Sequence, residues 1–206
     1  MAQLTIIENA SSDQVADWLA ERLGQLLAGR DGPVTITAPG GSTPFPILQR
    51  LVERTLPMDR LVVWPNDDRC VPEDHEASNT GKIRRLLEPA GAEVVTLSVM
   101  ERVPRFDLAW LGMGEDGHIA SLFPSTDPQT DDPQTIRRIT PDPLPPDAPF
   151  ERVTLTLPAL LDSEELVFVI RGEQKRQVFE DAAEDDSDLP VARLLKAATQ
   201  PVTCFA

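Results

Sequence analysis

The chain alternates short apolar segments, typical of buried strands, with longer segments whose apolar residues recur at helical spacing. Strands of a parallel sheet are buried on both faces and therefore read as continuous apolar runs. The alternation predicts an α/β fold with a mostly parallel sheet flanked by helices. No internal repeat is evident, and the length of 206 residues suits a single domain over 1–206. Strands are predicted at 4–8, 33–38, 61–64, 166–170 and 201–205, with further short runs "EVVTL", "DLAWLGM" and "RVTLTL".

Helix boundaries carry their own signals. Ser11 with Gln14 three residues later has the pattern of a capping box, and Gly29 ends the apolar periodicity that follows. Pro44 suits the first turn of a helix, and Ser78 suits an N-cap. Helices are predicted from Ser11 to Gly29, from Pro44 to about Arg54, from Asn79 to about Glu88, and over 172–183 and 189–198. The segment 124–149 is rich in Pro and Asp, and we expect a long excursion there, either ordered or partly mobile.

The charge of the chain restricts its partners. It has 34 acidic and 19 basic residues, a net charge of −15. Such a chain repels nucleic acids and anionic membranes, so neither is an expected partner. The acidity fits an ordinary solvated surface, or a host with a salty cytoplasm, and the sequence leaves both open. An anionic substrate would need a locally positive pocket.

Other features point to a cytoplasmic protein without a metal. No run of about 18 apolar residues is long enough to span a membrane, and the first residues lack the features of a secretory signal. Cys70 and Cys204 match neither a zinc spacing nor a disulfide framework. We expect a monomer or a weak homo-oligomer.

Three loops follow predicted strands, where α/β sheets bind ligands. The first contains Gly40, Gly41, Ser42 and Thr43. Glycines allow close backbone approach, and hydroxyls and free N–H groups at a helix start suit a phosphate. The loop has neither a Walker sequence nor a dinucleotide fingerprint. A plain strand-to-helix turn capped by Ser or Thr is the alternative.

The second loop begins with Asp67, Asp68 and Arg69. An Arg beside two carboxylates forms a structural ion pair, or it meets an anion or a developing oxyanion. His75, in the same loop, is expected to be a solvated surface residue.

The third loop, "GMGEDGHIASLFP", places Asp116 and His118 on either side of Gly117. An imidazole that is neutral near pH 7 is a natural general base. The alternative is a histidine that only orders the loop.

The motifs "GGSTP", "NDDRCVP" followed by "SN", and "GMGEDGHIASLFP", in this order, resemble those of the 6-phosphogluconolactonase family. "RVTLTLPAL" and the lysine of "IRGEQKR" match as well, so the resemblance covers nearly the whole chain. The resemblance implies hydrolysis of 6-phosphoglucono-δ-lactone in the oxidative pentose phosphate pathway. It also implies a modified Rossmann-like fold, shared with glucosamine-6-phosphate deaminases and ribose-5-phosphate isomerases.

The resemblance also implies site residues. The family's catalytic histidine falls on His118, with Asp116 to orient the imidazole and favour its protonated form. The arginine of its D-E-R motif falls on Arg69, although Asp68 stands where Glu is usual. The substrate, a sugar-phosphate lactone, would be held without metal or cofactor. Its binding residues would be Gly40, Gly41, Ser42, Thr43, Asp67 and Lys175. The Pro-rich stretch after Pro124 and the acidic run 180–188 match no family feature, so the resemblance does not say which residues form the rim of the site.

Two rivals share this fold. Sugar-phosphate isomerases and deaminases continue their histidine motif with "FNEP", whose Glu works in ring opening, whereas Phe123 occupies that position here. A Phe cannot transfer a proton. A non-catalytic sugar-phosphate sensor is the other rival. A sugar-responsive repressor would need a basic DNA-binding segment, and the first strand, beginning by residue 4, is expected to leave no room for one.

Overall fold

A computed structural model describes residues 3–144, 146, 148–184 and 187–206 of the chain. The strands are β1 Leu4–Ile7, β2 Val34–Ala38, β3 Leu61–Pro65, β4 Asp67–Arg69, β5 Glu93–Val94, β6 Leu108–Leu111, β7 Ile136–Ile139, β8 Arg152–Leu155, β9 Leu166–Val169 and β10 Val202–Phe205. The helices are α1 Ser12–Ala28, α2 Pro44–Leu51, α3 Asn79–Leu87, α4 Leu157–Leu161, α5 Glu173–Glu184 and α6 Pro190–Ala197. Short 3₁₀ turns lie at Met58–Arg60, Glu88–Ala90 and Pro124–Thr126.

Helix α1 forms as its sequence predicts. The N–H of Gln14 donates to Ser11 Oγ at 3.2 Å, and the N–H of Ser11 donates to Gln14 Oε1 at 2.8 Å, which completes the capping box. Leu19, Leu23 and Leu27 recur one turn apart and are buried. Burying one such side chain stabilises the fold by roughly 1.5–3 kcal/mol, so packing fixes the helix more than capping does.

Seven strands form one sheet in the order β1-β10-β9-β6-β2-β3-β5, and every pairing is parallel. Helices α1–α3 pack on one face, while α4–α6 and a small second sheet cover the other. In β6, Trp110 joins the core of the first face and Ala109 that of the second. This two-sided burial explains why the strands are apolar throughout, and it confirms the predicted α/β fold with a mostly parallel sheet.

The second sheet is antiparallel, in the order β4-β8-β7, and the sequence predicted only β8. The expectation of a polar loop over 67–69 is wrong, because these residues pair with β8. Asp and Arg are not typical strand residues, and pairing with a segment about 85 positions away leaves no local pattern. Strand β7 gives order to part of the Pro-rich segment 124–149. Pro145 and Asp147 of that segment, and Asp185 and Asp186 of the acidic run, lie outside the described residues.

The carboxyl ends of β9, β6, β2 and β3 are neighbours in the sheet, so the loops that follow these strands meet at one edge. Successive crossovers run outward from β2 through β3 to β5 and from β6 through β9 to β10. The crevice between β2 and β6 is therefore a topological switch point, where open α/β sheets bind ligands. Within the described part of the chain, no helix is long and apolar enough to cross a membrane.

Candidate active site

An open cleft of about 250 Å³ lies at this edge of the sheet. The loops after β2, β6 and β9 contribute to its walls, and so does strand β4, which follows β3. The structure thus brings together every site residue that the sequence predicted except Asp116, which lies behind the imidazole of His118. The predicted residues that line the cleft are Gly40, Gly41, Ser42, Thr43, Asp67, Arg69, His118 and Lys175.

The loop after β2 has the form that a phosphate cradle needs. Gly41 has φ of +102°, a conformation that other residues rarely adopt. At Gly40 a Cβ atom would overlap the side chain of Asn79, so only glycine allows this close approach. Thr43 is the N-cap of α2, but its side chain makes no capping hydrogen bond. Its hydroxyl is therefore not used in the way that the plain-turn alternative requires.

Strand β4 and the start of α3 form the next wall. The carboxylate of Asp68 accepts hydrogen bonds from the N–H groups of Asn79 at 2.6 Å and Thr80 at 3.0 Å, and from Ser78 Oγ at 3.0 Å. Asp68 therefore satisfies the first turn of α3, and it also accepts a hydrogen bond from the backbone N–H of Arg69 at 2.7 Å. A carboxylate in this place holds the helix start rigidly against β4.

Arg69 is not in the structural ion pair that was one sequence expectation. Its Nη1 donates to the carbonyl of Ala77 at 2.8 Å, and no carboxylate forms a salt bridge with it among the residues that the structure describes. Its Nε is buried without a hydrogen-bond partner. A guanidinium that lines a cleft and keeps donors unused is suited to meeting an anion or oxyanion.

Asp67 lies deeper in the wall. Its carboxylate accepts a hydrogen bond from Ser121 Oγ and a longer one, 3.4 Å, from Asn79 Nδ2. Burial raises the pKa of Asp67 above its usual value, although the hydrogen bond from Ser121 and the charge of Arg69 act against this. Sequence reasoning missed Ser121 and Asn79. Ser121 lies in the motif "SLFP" and Asn79 in the motif "SN". Their place in these motifs was the only sequence signal that could have identified them.

His118 sits beyond β6 in the loop that its glycines allow. Its Nδ1 lies 2.6 Å from Asp116 Oδ1, so Nε2 is the ring nitrogen that can exchange a proton with a ligand. The hydrogen bond with His118 holds the pKa of Asp116 below its usual value, so the acid stays ionised beside the ring. At Gly114 a Cβ would overlap the imidazole, and Gly117 has φ of +74°. The His118 side chain is 31% exposed, so solvent reaches it.

Two residues complete the surroundings of the imidazole. The Phe123 ring lies 4.7 Å from that of His118, tilted by 37°, and stands where an isomerase would carry its acid. Lys175, in the first turn of α5, is half-buried, and the described residues offer it no salt-bridge partner. Lys175 and His118 also border a second cavity, of about 600 Å³, whose far wall is Pro141–Pro143. The Pro-rich segment therefore forms part of the rim that the family resemblance left open.

Two further features of the surroundings bear on the sequence expectations. Among the residues that the structure describes, no group of three or more His, Cys, Asp or Glu side chains is arranged to hold a metal ion. His75 is exposed, as expected, and its Nδ1 accepts a hydrogen bond from the N–H of Ala77. The arrangement can therefore offer a carboxylate-supported imidazole, an unpaired guanidinium and a cationic, glycine-rich cradle in one cleft.

Comparison with known proteins identifies the family of the chain. The family model for glucosamine-6-phosphate isomerases/6-phosphogluconolactonase matches residues 8–100 and 89–203. A 6-phosphogluconolactonase of Pseudomonas aeruginosa is 32% identical over 91% of this chain and 89% of its own length. One of Thermotoga maritima is 32% identical over 82% of this chain and 83% of its own.

Solved structures give the same result. The crystal structure of the Thermotoga maritima 6-phosphogluconolactonase superposes with a TM-score of 0.81 and 27% identity, over 100% of this chain and 99% of that one. The crystal structure of a 6-phosphogluconolactonase from Shewanella baltica superposes with a TM-score of 0.82 and 27% identity, over 100% of this chain and 97% of that one. The relatives named here are 6-phosphogluconolactonases, and the chain belongs to the glucosamine-6-phosphate isomerase/6-phosphogluconolactonase family.

Proposed function

We propose that this protein hydrolyses 6-phosphoglucono-δ-lactone to 6-phosphogluconate, in the oxidative pentose phosphate pathway, with His118 as the general base. The observation that carries the proposal is the single cleft in which His118, backed by Asp116, shares walls with the loop Gly40–Thr43 and with Lys175. The names of the relatives support the substrate.

The chemical step needs only a base that can later act as an acid. His118 Nε2 takes a proton from water while the water oxygen forms a bond to the lactone carbonyl carbon, C1. The tetrahedral intermediate then collapses, the bond between C1 and the ring oxygen breaks, and His118 returns the proton to that oxygen. General acid–base help of this kind contributes about 10²–10⁴-fold. Asp116 fixes the tautomer and stabilises the imidazolium formed between the two transfers.

The other cleft residues position the substrate and stabilise charge. Arg69, whose guanidinium lines the cleft and forms no salt bridge among the described residues, stabilises the oxyanion at C1. Ser42 and Thr43, with the backbone of Gly40 and Gly41, hold the phosphate. Lys175 and Arg69 together supply the local positive charge that an anionic substrate needs in a chain of net charge −15. Asp67, at the base of the cleft, borders the sugar.

The two rivals differ from this proposal in one observable each. Aldose–ketose isomerisation needs a proton-transferring acid beside the histidine, and Phe123 offers none. A sensor would bind 6-phosphogluconate without accelerating hydrolysis. Comparing lactone hydrolysis by the wild-type protein and by His118→Ala separates an enzyme from a sensor, because only an enzyme loses a measurable rate.

The decisive experiment compares two lactones in a pH-stat, 6-phosphogluconolactone and unphosphorylated gluconolactone. We expect kcat/KM to fall at least about 10²-fold without the phosphate, since anchoring by remote groups supplies much of the positioning. Lys175→Met should remove most of this preference. Lys196→Met, which removes the same charge from an exposed position outside the cleft, is the matched control. Equal turnover of both lactones by the wild-type protein would contradict the proposal.

We further propose that residues 1–206 work as one domain, because the cleft takes residues from both halves of the chain. We also propose a cytoplasmic monomer or weak homo-oligomer that needs neither nucleic acid nor membrane. Sedimentation at micromolar and millimolar concentrations tests the oligomeric part, and a stable large assembly at both would contradict it.

A further inference from the structure

A chain of buried polar contacts joins the histidine loop to the phosphate loop, and the proposed mechanism gives these contacts themselves no role. We propose that Ser121, Asp67 and Asn79 act as a ruler that fixes the separation between the imidazole of His118 and the phosphate cradle. The ruler makes the enzyme selective for lactones whose carbonyl lies at one set distance from their phosphate. The inference rests on the proposed function and names the three residues as positioning residues.

The first contact holds the histidine loop. Ser121 follows His118 by three residues and is 1% exposed. Its Oγ donates to the carboxylate of Asp67, and its N–H donates to Thr154 Oγ1 at 3.2 Å. Thr154 is the residue opposite Asp67 in the pairing of β4 with β8. The loop that carries the imidazole is thus fixed to two neighbouring strands through one serine.

The second contact continues to the phosphate loop. Asn79 is 3% exposed, and its Nδ2 donates to the backbone carbonyl of Asp67 at 3.1 Å as well as facing the Asp67 carboxylate at 3.4 Å. The same amide packs so closely on Gly40 that no Cβ fits there. A displacement of Asn79 would therefore be transmitted to the loop Gly40–Thr43 by direct contact.

The chain is rigid because it is buried. A buried polar group that loses its partner has no water to replace it, so Ser121, Asp67 and Asn79 hold one another in a single arrangement. Their contacts cross from the loop after β6 to the loop after β2 along the wall of the cleft. They fix a distance and supply no charge or proton to the substrate.

A fixed distance matters only to a substrate that is anchored at both ends. A phosphorylated lactone, held by its phosphate, cannot follow an imidazole that has moved, and misplacement by about 1 Å can cost on the order of 10²-fold in rate. An unphosphorylated lactone is not anchored and can shift with the base. Loosening the ruler should therefore reduce turnover of the first substrate and leave the second nearly unchanged.

The test uses Ser121→Ala in the full-length protein, with kcat/KM measured for both lactones. We expect the value for 6-phosphogluconolactone to fall about tenfold or more, while the value for gluconolactone stays within about threefold of the wild type. Ser163→Ala is the matched control. Its hydroxyl is also buried and donates to the Leu160 carbonyl at 2.8 Å, but it does not line the cleft. Asn79→Ala provides a second break in the same chain if Ser121→Ala does not fold.

A double-mutant cycle with Lys175→Met makes the test sharper. If the ruler acts through phosphate anchoring, Ser121→Ala should change turnover of 6-phosphogluconolactone less than about twofold once Lys175 is gone. A ratio between the two lactones that stays at the wild-type value in Ser121→Ala and Asn79→Ala would overturn the inference, and so would equal loss on both substrates. A wild-type protein without phosphate preference would instead defeat the proposed function itself.

Discussion

At the scale of single residues, the proposed mechanism depends on the pair Asp116–His118, in which the carboxylate holds the imidazole that would work as the base. Asp116→Asn keeps the shape of the side chain but loses the charge that fixes the Nδ1–H tautomer. We expect kcat to fall about 10²–10⁴-fold with little change in KM, because substrate binding does not involve this carboxylate. Glu115→Gln, one residue earlier and exposed, removes the same charge and serves as the control. A pure KM effect in Asp116→Asn would argue against the assigned role.

A second residue-scale prediction concerns Asp67 and the stability of the protein. Its pKa is raised above 3.8 in the folded state, chiefly by burial, so the folded protein holds this proton more tightly than the unfolded chain does. The stabilisation from this group is complete below pH 3.8 and is lost as pH rises through the folded pKa.

Asp67→Asn cannot ionise and should escape this loss. The stability of Asp67→Asn relative to the wild type, measured as the difference between their free energies of unfolding, should therefore be greater at pH 7 than at pH 4. Urea denaturation at both pH values measures the difference. A relative stability that is the same at both pH values, or better at pH 4, would show that Asp67 ionises without penalty.

At the scale of elements, the loop after β6 has two glycines with opposite tolerance for a side chain. A Cβ at Gly114 would overlap the His118 ring, whereas a Cβ at Gly112 would meet only Pro39, at an ordinary 3.6 Å. Gly114→Ala should therefore displace the imidazole and reduce kcat about as far as His118→Ala does, roughly 10²-fold or more. Gly112→Ala should keep most of the activity. Similar kcat values for the two alanine variants would refute this account of the loop.

The start of α3 offers a prediction about stability at the same scale. Asp68 is 7% exposed, and its carboxylate accepts hydrogen bonds from the N–H groups of Arg69, Asn79 and Thr80 and from Ser78 Oγ. Hydrogen bonds to a charged group contribute about 1.5–3 kcal/mol each, and they are lost together with a helix cap. We expect Asp68→Ala to lower the free energy of unfolding by at least about 2 kcal/mol, measured by urea denaturation. Asp74→Asn, exposed in the same loop, should change it by less than about 0.5 kcal/mol.

The whole molecule shows which features a sequence can reveal. Local signals predicted α1 and its cap, and apolar runs predicted β2, β3 and β9, because burial on both faces leaves a continuous pattern. They also predicted that the loops would meet at one cleft, since that follows from parallel strands alone. Strands β4 and β7 were not predicted, because what defines them is pairing with β8 and not their own composition.

In the candidate site, too, residues with a local motif were predicted, and residues defined by distant contacts were not. His118, Arg69 and the glycine loop were predicted from motifs, and the structure places them together while their roles stay predictions. Ser121 and Asn79 could not be assigned, since their importance lies in contacts with Asp67 across 54 and 12 positions of sequence. A residue that acts by holding another leaves no chemical signature in its own neighbourhood.

The acidity of the whole molecule leads to a last prediction. With a net charge of −15, self-repulsion opposes the compact state, and salt screens such repulsion with a Debye length of about 10 Å at 0.1 M. Screening also weakens the surface salt bridges, but each exposed pair contributes only about 0–1 kcal/mol. We therefore expect Tm at pH 7.5 to rise steadily from 0.01 to 0.5 M NaCl. At pH 5, nearer the isoelectric point of about 4.4, the carboxylates begin to lose their charge and the rise should shrink. A Tm that falls with salt at pH 7.5 would mean that the ion pairs outweigh the repulsion.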